Sequence, residues 1–276
     1  MIIGPPFFII VELLFIYRLD DMMCTEQVKI RRIKGEVSAF ISDEVARDVP
    51  ICIFLNDEPF ITLIASPGKY RELAIGHIFC EGIIPCLDDV EHIDLFKERV
   101  NIKIRKEIDP TGLGLRKMRL ITTACGTRDF SDYHEFESLK LDESRNYSTS
   151  TILETVKKLN ELGEVFRKTG GTHSALLTSK KDGFLGYAED VGRHNAVDKV
   201  IGEGLLSGVD FTECILSTSG RLSGEMILKA VYAQIPVVCS VSAPLISGII
   251  LAENTGITVY GFVRGRRMNQ YTGFQN

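Results

Sequence analysis

The sequence predicts an α/β fold: a mixed, largely parallel sheet, preceded by a smaller α+β lobe. Three observations carry this. From residue 173 onward, short apolar runs alternate with helical patterns at the spacing of βαβ units, which favour right-handed crossovers and parallel pairing. Before residue 108 the pattern is one of hairpins and a single helix. Between the two lies Asp-Pro-Thr-Gly-Leu-Gly (109–114), a cluster of chain breakers. The expected organisation is an apolar extension over 1–23, an N-terminal lobe over 24–114 and an α/β domain over 115–276.

The elements follow in order. Residues 28–40 predict strands with a turn at Gly35, and 50–64 a hairpin around Asn-Asp-Glu-Pro. Residues 69–82 place Leu73, Ile75, Ile78 and Phe79 on a helical face that ends at Gly82. Residues 90–108 alternate apolar and polar side chains, a strand signal. Residues 117–124 predict a strand ending at Cys125. Residues 150–168 predict one amphipathic helix, with Ile152, Val156, Leu159, Leu162 and Phe166 on its inner face and Gly170 and Gly171 as its stop. Strands over 173–179 and 184–188 are joined by Lys-Lys-Asp-Gly. Then come a helix from Arg193 to Gly204, strands at 214–219, 236–242 and 257–263, and helices at 222–233 and 244–254.

Composition limits the function classes. Hydrophobic residues make up 45% of the 276 and charged residues 25%, which excludes a disordered or fibrous chain. The net charge of −5 argues against a nucleic-acid-binding protein, which carries a basic stripe. Seven cysteines form no C-x-x-C pair, so a dithiol or zinc ribbon is unsupported, and free thiols point to a reducing cytoplasm. Residues 2–16 are very apolar but fall short of the ~20 residues of a membrane helix, and Glu12 interrupts them. They admit three readings: a start-site artefact ahead of Met22 or Met23, an element packed on the domain, or a membrane anchor.

In open α/β sheets, ligands bind beyond the carboxyl ends of the strands. Here the chemically unusual residues collect there, in five loops expected to converge on one crevice: at Cys125, at 189–194, at 217–221, at Ser240, Ser242 and Ala243, and at 264–267. Cys125 sits among small residues with Arg128 three positions on, a setting that enriches thiolate; packing at a strand end is the competing reading. Asp190, Gly192, Arg193 and His194 stand where a strand passes into a helix, whose free N–H groups suit an anion; a surface ion pair is the alternative. Ser219, Gly220 and Arg221 repeat that logic, against a plain N-cap. Gly171 and His173 follow a helix end, against a plain C-cap. Phe262, Val263, Arg264, Gly265, Arg266 and Arg267 bring three Arg forks after the last strand, against a solvated turn. No Walker A, no G-x-G-x-x-G and no deaminase zinc signature is present, so no catalytic zinc is expected.

These motifs together resemble the FdhD/NarQ family of formate dehydrogenase accessory sulfurtransferases. The segments that carry the resemblance are ASPGKYRELAIGHIFCEGII (65–84), TACGT (123–127), TGGTHSALL (169–177), EDVGRHNAVDKVIG (189–202), SGRLSGEMILKA (219–230), SAPLISGIILAE (242–253) and GFVRGRRMNQYT (261–272). The resemblance implies a cytidine-deaminase-like core without the deaminase zinc, a smaller N-terminal lobe and a homodimer. It further implies a sulfur carrier that takes persulfide sulfur from a cysteine desulfurase. That sulfur passes to bis(molybdopterin guanine dinucleotide), with molybdenum or tungsten, for the catalytic subunit of formate dehydrogenase. Cys125 matches the persulfide-carrying cysteine and 262–267 the cofactor-binding stretch, with a guanine nucleotide as mimic. Neither nucleic acid nor membrane is an implied partner. One departure is local: many members carry C-G-x-C, whereas this chain has Cys125-Gly126-Thr127-Arg128. An internal disulfide cannot form at that loop, and a non-catalytic cofactor chaperone is the second hypothesis.

Overall fold

The computed structural model describes residues 23–105, 141 and 147–274. Strands β1 (Thr25–Lys34) and β2 (Val37–Ala46) form a two-stranded ribbon turned at Gly35, whose φ of 61° suits a residue without Cβ. Strands β3 (Val49–Leu55) and β4 (Glu58–Ala65) turn at Asn56 and Asp57, both at positive φ, as a two-residue hairpin turn requires. Helix α1 (Tyr70–Cys80) follows, then β5 (Val90–Phe96) and β6 (Arg99–Ile104). The single strand expected over 90–108 is two: Lys97 at φ 54° reverses the chain, and the apolar positions change phase across it, from Ile93 and Leu95 to Val100, Ile102 and Ile104. These four strands make a sheet of order β4-β3-β6-β5.

Helix α2 (Thr149–Leu162) starts at Ser148, whose hydroxyl accepts from the Thr151 N–H. The single helix expected over 150–168 also breaks. Gly163 leaves helical geometry at ψ 68°, and a short helix α3 (Glu164–Thr169) restarts beyond it. Phe166 is consequently exposed rather than on the buried face. The restart is fixed from elsewhere in the chain: the Glu189 carboxylate accepts from Val165 N and Phe166 N.

The remaining elements are β7 (His173–Ser179), β8 (Gly183–Asp190), α4 (Arg193–Leu206), β9 (Cys214–Thr218), α5 (Gly224–Tyr232), β10 (Val237–Ser240), α6 (Ile246–Thr255), β11 (Thr258–Arg264) and β12 (Arg267–Gln270). Their sheet runs β12-β11-β10-β9-β7-β8. It is mixed, but less parallel than expected. Only β9–β10 and β10–β11 pair in parallel, while β7–β8, β7–β9 and β11–β12 are antiparallel. The reason is local: the turns at Lys180–Asp182 and Gly265–Arg266 are too short for a crossover, so they force antiparallel hairpins onto both edges.

Successive residues alternate between two cores. Ile215, Val237, Cys239 and Tyr260 pack beneath α2, with Ile152 and Val156. Leu216, Val238 and Val259 face the main core, shared with α1, α4, α5 and the inner side of the first sheet. Helix α1 packs against β5 and β6 on one side and against α4 and α5 on the other. No helix among the described residues is long and apolar enough to cross a membrane.

Candidate functional site

Strand directions decide what meets what. β8, β9, β10 and β11 run the same way, and β7 and β12 run against them. The carboxyl ends of four strands and the amino ends of two therefore open on one sheet edge. His173, Asp190, Ser219, Ser240, Arg264 and Arg267 all stand on that edge. Of the five loops expected to converge, four do so. The fifth, with Cys125, lies outside the described residues.

The edge is cross-linked by hydrogen bonds between its loops. Ser219 Oγ accepts from Ser174 N at 2.9 Å and lies 3.2 Å from His173 Nδ1. Ser240 Oγ donates to the Gly220 carbonyl at 2.6 Å and accepts from Ser242 N. Phe262 N donates to the Ser242 carbonyl, and Arg264 Nε to the Val241 carbonyl, both at 3.0 Å. Gly220 is needed by size: a Cβ there would lie 2.9 Å from Arg193 Cβ. The Arg193 stem thus crosses the 219–221 loop, while Arg221 is exposed. Burial, with the nearby Arg193 charge, lowers the proton affinity of His173.

Helices α4, α5 and α6 each begin at this edge, and none has its first turn capped by the side chain of its own N-cap residue. Three buried polar atoms without a hydrogen-bond partner gather at two of those starts: Arg193 Nε, His194 Nε2 and Ser223 Oγ. At the start of α5 the Gly224 N–H is taken by Ser247 Oγ; the unspent donors beside these helix starts suit a negatively charged ligand.

The last-strand bend is distorted in a way that matters. Phe262 takes φ 52° in a strand, and the β11–β12 register shifts between Gly261 and Arg264. Tyr260 and Val263 thereby share one buried face although three positions apart, and the Phe262 ring is turned outward, 37% exposed. Arg264, Gly265, Arg266 and Arg267 are exposed beside it. A cavity of 390 Å³ lies between this bend and α2, lined by Leu153, Val156, Lys157, Asn160, Val263 and Arg264 among others. Lys157 and Asn160 were not legible as site neighbours, because α2 is about a hundred residues upstream.

Two expected ligand contacts, Asp190 and Val263, are internal instead. Asp190 is fully buried, and its carboxylate accepts from Ser66 N, Gly192 N, Asn195 Nδ2 and Lys199 Nζ, at 2.7–3.0 Å. It positions the loop and offers nothing to the edge. Val263 is buried under α2. Gly171 is exposed, yet its missing side chain is accounted for by Ala46, whose Cβ would stand 2.9 Å away. Gly192, in turn, leaves room for the Asn195 amide. The clamp through Lys199, which also donates to the Ser66 carbonyl at 2.7 Å, ties the 65–68 turn to the site; sequence reasoning missed both residues.

The comparisons with known proteins fall into place on this geometry. The model of the FdhD/NarQ family matches residues 46–276. The chain belongs to the FdhD/NarQ family. It is 34% identical to the sulfur carrier protein FdhD of Sulfurisphaera tokodaii over 91% of this chain and 98% of that one. It is 29% identical to the protein of that name from Listeria innocua, over 90% and 96%. The fold is similar to the crystal structure of a formate dehydrogenase accessory protein from Desulfotalea psychrophila, with TM-score 0.74, 24% identity, and coverage of 90% and 97% of the two chains. Among the described residues, no group of three or more His, Cys, Asp or Glu stands where it could hold a metal.

Proposed function

We propose that this chain carries persulfide sulfur on Cys125, from a cysteine desulfurase to bis(molybdopterin guanine dinucleotide), for use by formate dehydrogenase. The reading assigns the six-stranded sheet and its helices to a cytidine-deaminase-like core. It takes the assembly to be a homodimer working in a reducing cytoplasm, where thiols persist. The observation that carries it is family membership across residues 46–276, joined to an edge where three helix starts and three Arg residues converge.

In the loading step, the Cys125 thiolate attacks the outer sulfur of the donor persulfide. The S–S bond breaks, its electron pair leaves on the donor cysteine, and Cys125 holds the sulfur. The cofactor is the substrate here. Its phosphates would lie against the starts of α4 and α5 and the exposed Arg264 and Arg266. Its ring system would meet Phe262, and Lys157 and Asn160 extend the wall. Five of the six described cysteines make poor carriers, which supports the assignment to Cys125. Burial pushes the thiols of Cys214 and Cys239 up to about 12, and raises Cys80 and Cys24. A hydrogen bond with Asp89 raises exposed Cys86.

The test is intact-mass analysis after incubation with desulfurase and cysteine. A gain of about 32 Da, one sulfur atom, is expected on the native chain and not on Cys125→Ala. The second reading, a cofactor chaperone without sulfur transfer, is favoured by Arg128 standing in place of a second cysteine. It predicts no adduct and unimpaired nucleotide binding by Cys125→Ala.

A further inference from the structure

The ribbon of β1 and β2 stands apart from the rest of the chain. None of its residues belongs to either hydrophobic core. It is held at its base and by one face. Thr25, Glu44 and Ala46 share that face, where Thr25 Oγ1 donates to Glu44 Oε1 at 2.7 Å. Helix α3 packs there: Lys168 Nζ is 3.7 Å from Glu44, and Gly171 fits against Ala46. The family match begins at the last residue of β2, so the ribbon lies ahead of it.

The opposite face carries five cross-strand rows. From base to tip they are Glu26 with Val45, Val28 with Asp43, Ile30 with Ile41, Arg32 with Ala39 and Lys34 with Val37. Six of these ten residues are aliphatic, and Val45 and Val37 are 43% and 73% exposed. A lone two-stranded ribbon is marginally stable in water, and covering such a face is what stabilises it.

The rows are nearly symmetric about their centre. Turned end for end about the Ile30–Ile41 row, the face places Val45 on Val37 and Glu26 on Lys34, while the row of Val28 and Asp43 falls on that of Arg32 and Ala39. Arg32 and Asp43 already pair within the chain, at 3.2 Å and nearly half exposed. Glu26 and Lys34 remain as opposite charges at opposite ends, both exposed and neither in an ion pair among the described residues.

We propose that this face is an interface between two copies of the chain, with the ribbons packed face to face and antiparallel about a two-fold axis through the Ile30–Ile41 row. A two-fold contact needs a patch complementary to itself, and the reversed order of charges supplies one. A partner of another kind would have no use for that symmetry. Across the axis Ile30 and Ile41 meet their own copies, Val45 meets the partner's Val37, and Glu26 faces the partner's Lys34, twice in each dimer. The inference rests on the homodimer of the proposed function and on nothing said there of sulfur.

The experiment is sedimentation of the full chain over a concentration series at low salt, where exposed charges are least screened. The native chain is expected to dimerise. Lys34→Glu alone, or Glu26→Lys alone, sets like charges against each other at two places and should weaken the dimer about tenfold or more. Both changes in one chain should restore it. The two single variants, mixed, should associate with each other more tightly than either does with itself. Within one chain the two positions stand roughly 26 Å apart along β1, too far to compensate inside a monomer. Both side chains are exposed, so each variant should melt as the native monomer does at the highest dilution. A native chain that stays monomeric overturns the inference and the homodimer together. A dimer indifferent to the single changes, or not restored by the double one, overturns this surface and leaves the homodimer standing.

Discussion

Gly76 on α1 and Gly202 on α4 stand face to face, and neither position has room for a side chain. A Cβ on Gly76 would fall 1.9 Å from the Asp198 carbonyl oxygen, and one on Gly202 would fall 1.9 Å from that of Glu72. The backbones of the two helices are in direct contact, which places His77 against Asp198 and joins the first half of the chain to the site helix. The obstacle in each case is backbone, which cannot rotate away. Gly76→Ala and Gly202→Ala should each destabilise by about 3 kcal/mol or more through overpacking, read as a fall in the urea midpoint. A loss within 0.5 kcal/mol, the usual scatter of surface substitutions, would show that the helices can separate freely.

Lys199 and Asp190 form the second buried pair, at 2.7 Å and at most 2% exposed. Lys199→Met leaves the Asp190 carboxylate without its charged partner. It should cost about 3–5 kcal/mol in chemical unfolding, far more than an exposed pair such as Lys157–Glu161.

Acid should act first on His194. Its proton affinity is lower in the folded chain, about 3, than in the unfolded chain, near 6.5. Protonation therefore favours unfolding, and stability present above pH 6.5 is lost as pH falls below it, by about 2 kcal/mol at pH 5. Burial disfavours the Asp198 carboxylate, but Lys229 and His77 outweigh it and hold it below the usual range. Its contribution is present above about pH 4 and is lost only below that. His194→Gln should reduce the slope of the stability profile between pH 6.5 and 5, leaving the part due to His173, whose proton affinity burial also lowers, and the steeper acid limb. A slope unchanged by that substitution would remove His194 from the account.

Guanine nucleotide binding should depend on the last-strand bend. GDP at a hundred times its Kd stabilises any native-state binder by about 2.7 kcal/mol, visible as a rise in Tm. Arg264→Ala with Arg266→Ala should erase that rise while leaving the ligand-free Tm nearly unchanged, because both side chains are exposed. An undiminished rise in the double variant would identify the bend as an ordinary solvated turn.

Thiol labelling offers a further check. Native protein treated with iodoacetamide at pH 8 should leave Cys80, Cys214 and Cys239 unmodified, as peptide mass spectrometry will register. Their thiols are buried and hold their protons far above that pH. Rapid modification of any of them would signal local opening of the core.

The sequence by itself determined the order and type of most elements, because apolar periodicity and turn residues act locally. The hairpin at Asn56–Asp57, helix α1 and the alternation from β9 to β11 were all legible this way. So was the collection of Arg, His, Ser and Gly at strand ends. Local signals fail where partners are distant. The break at Gly163 depends on Glu189 receiving the restarted helix, and the reversal at Lys97 carries neither Gly nor Pro to mark the change of phase there. Only the tertiary structure decided which strand-end residues face the edge. Asp190 read as a ligand contact until Ser66, Asn195 and Lys199 filled its coordination, and His77 and Lys229 read as ordinary helix residues until three helices brought them to Asp198. The physical reason is the same in each case. Burial and pairing are properties of neighbours in space: Ser66 lies 124 residues from Asp190 along the chain, and His77 and Lys229 lie 121 and 31 residues from Asp198.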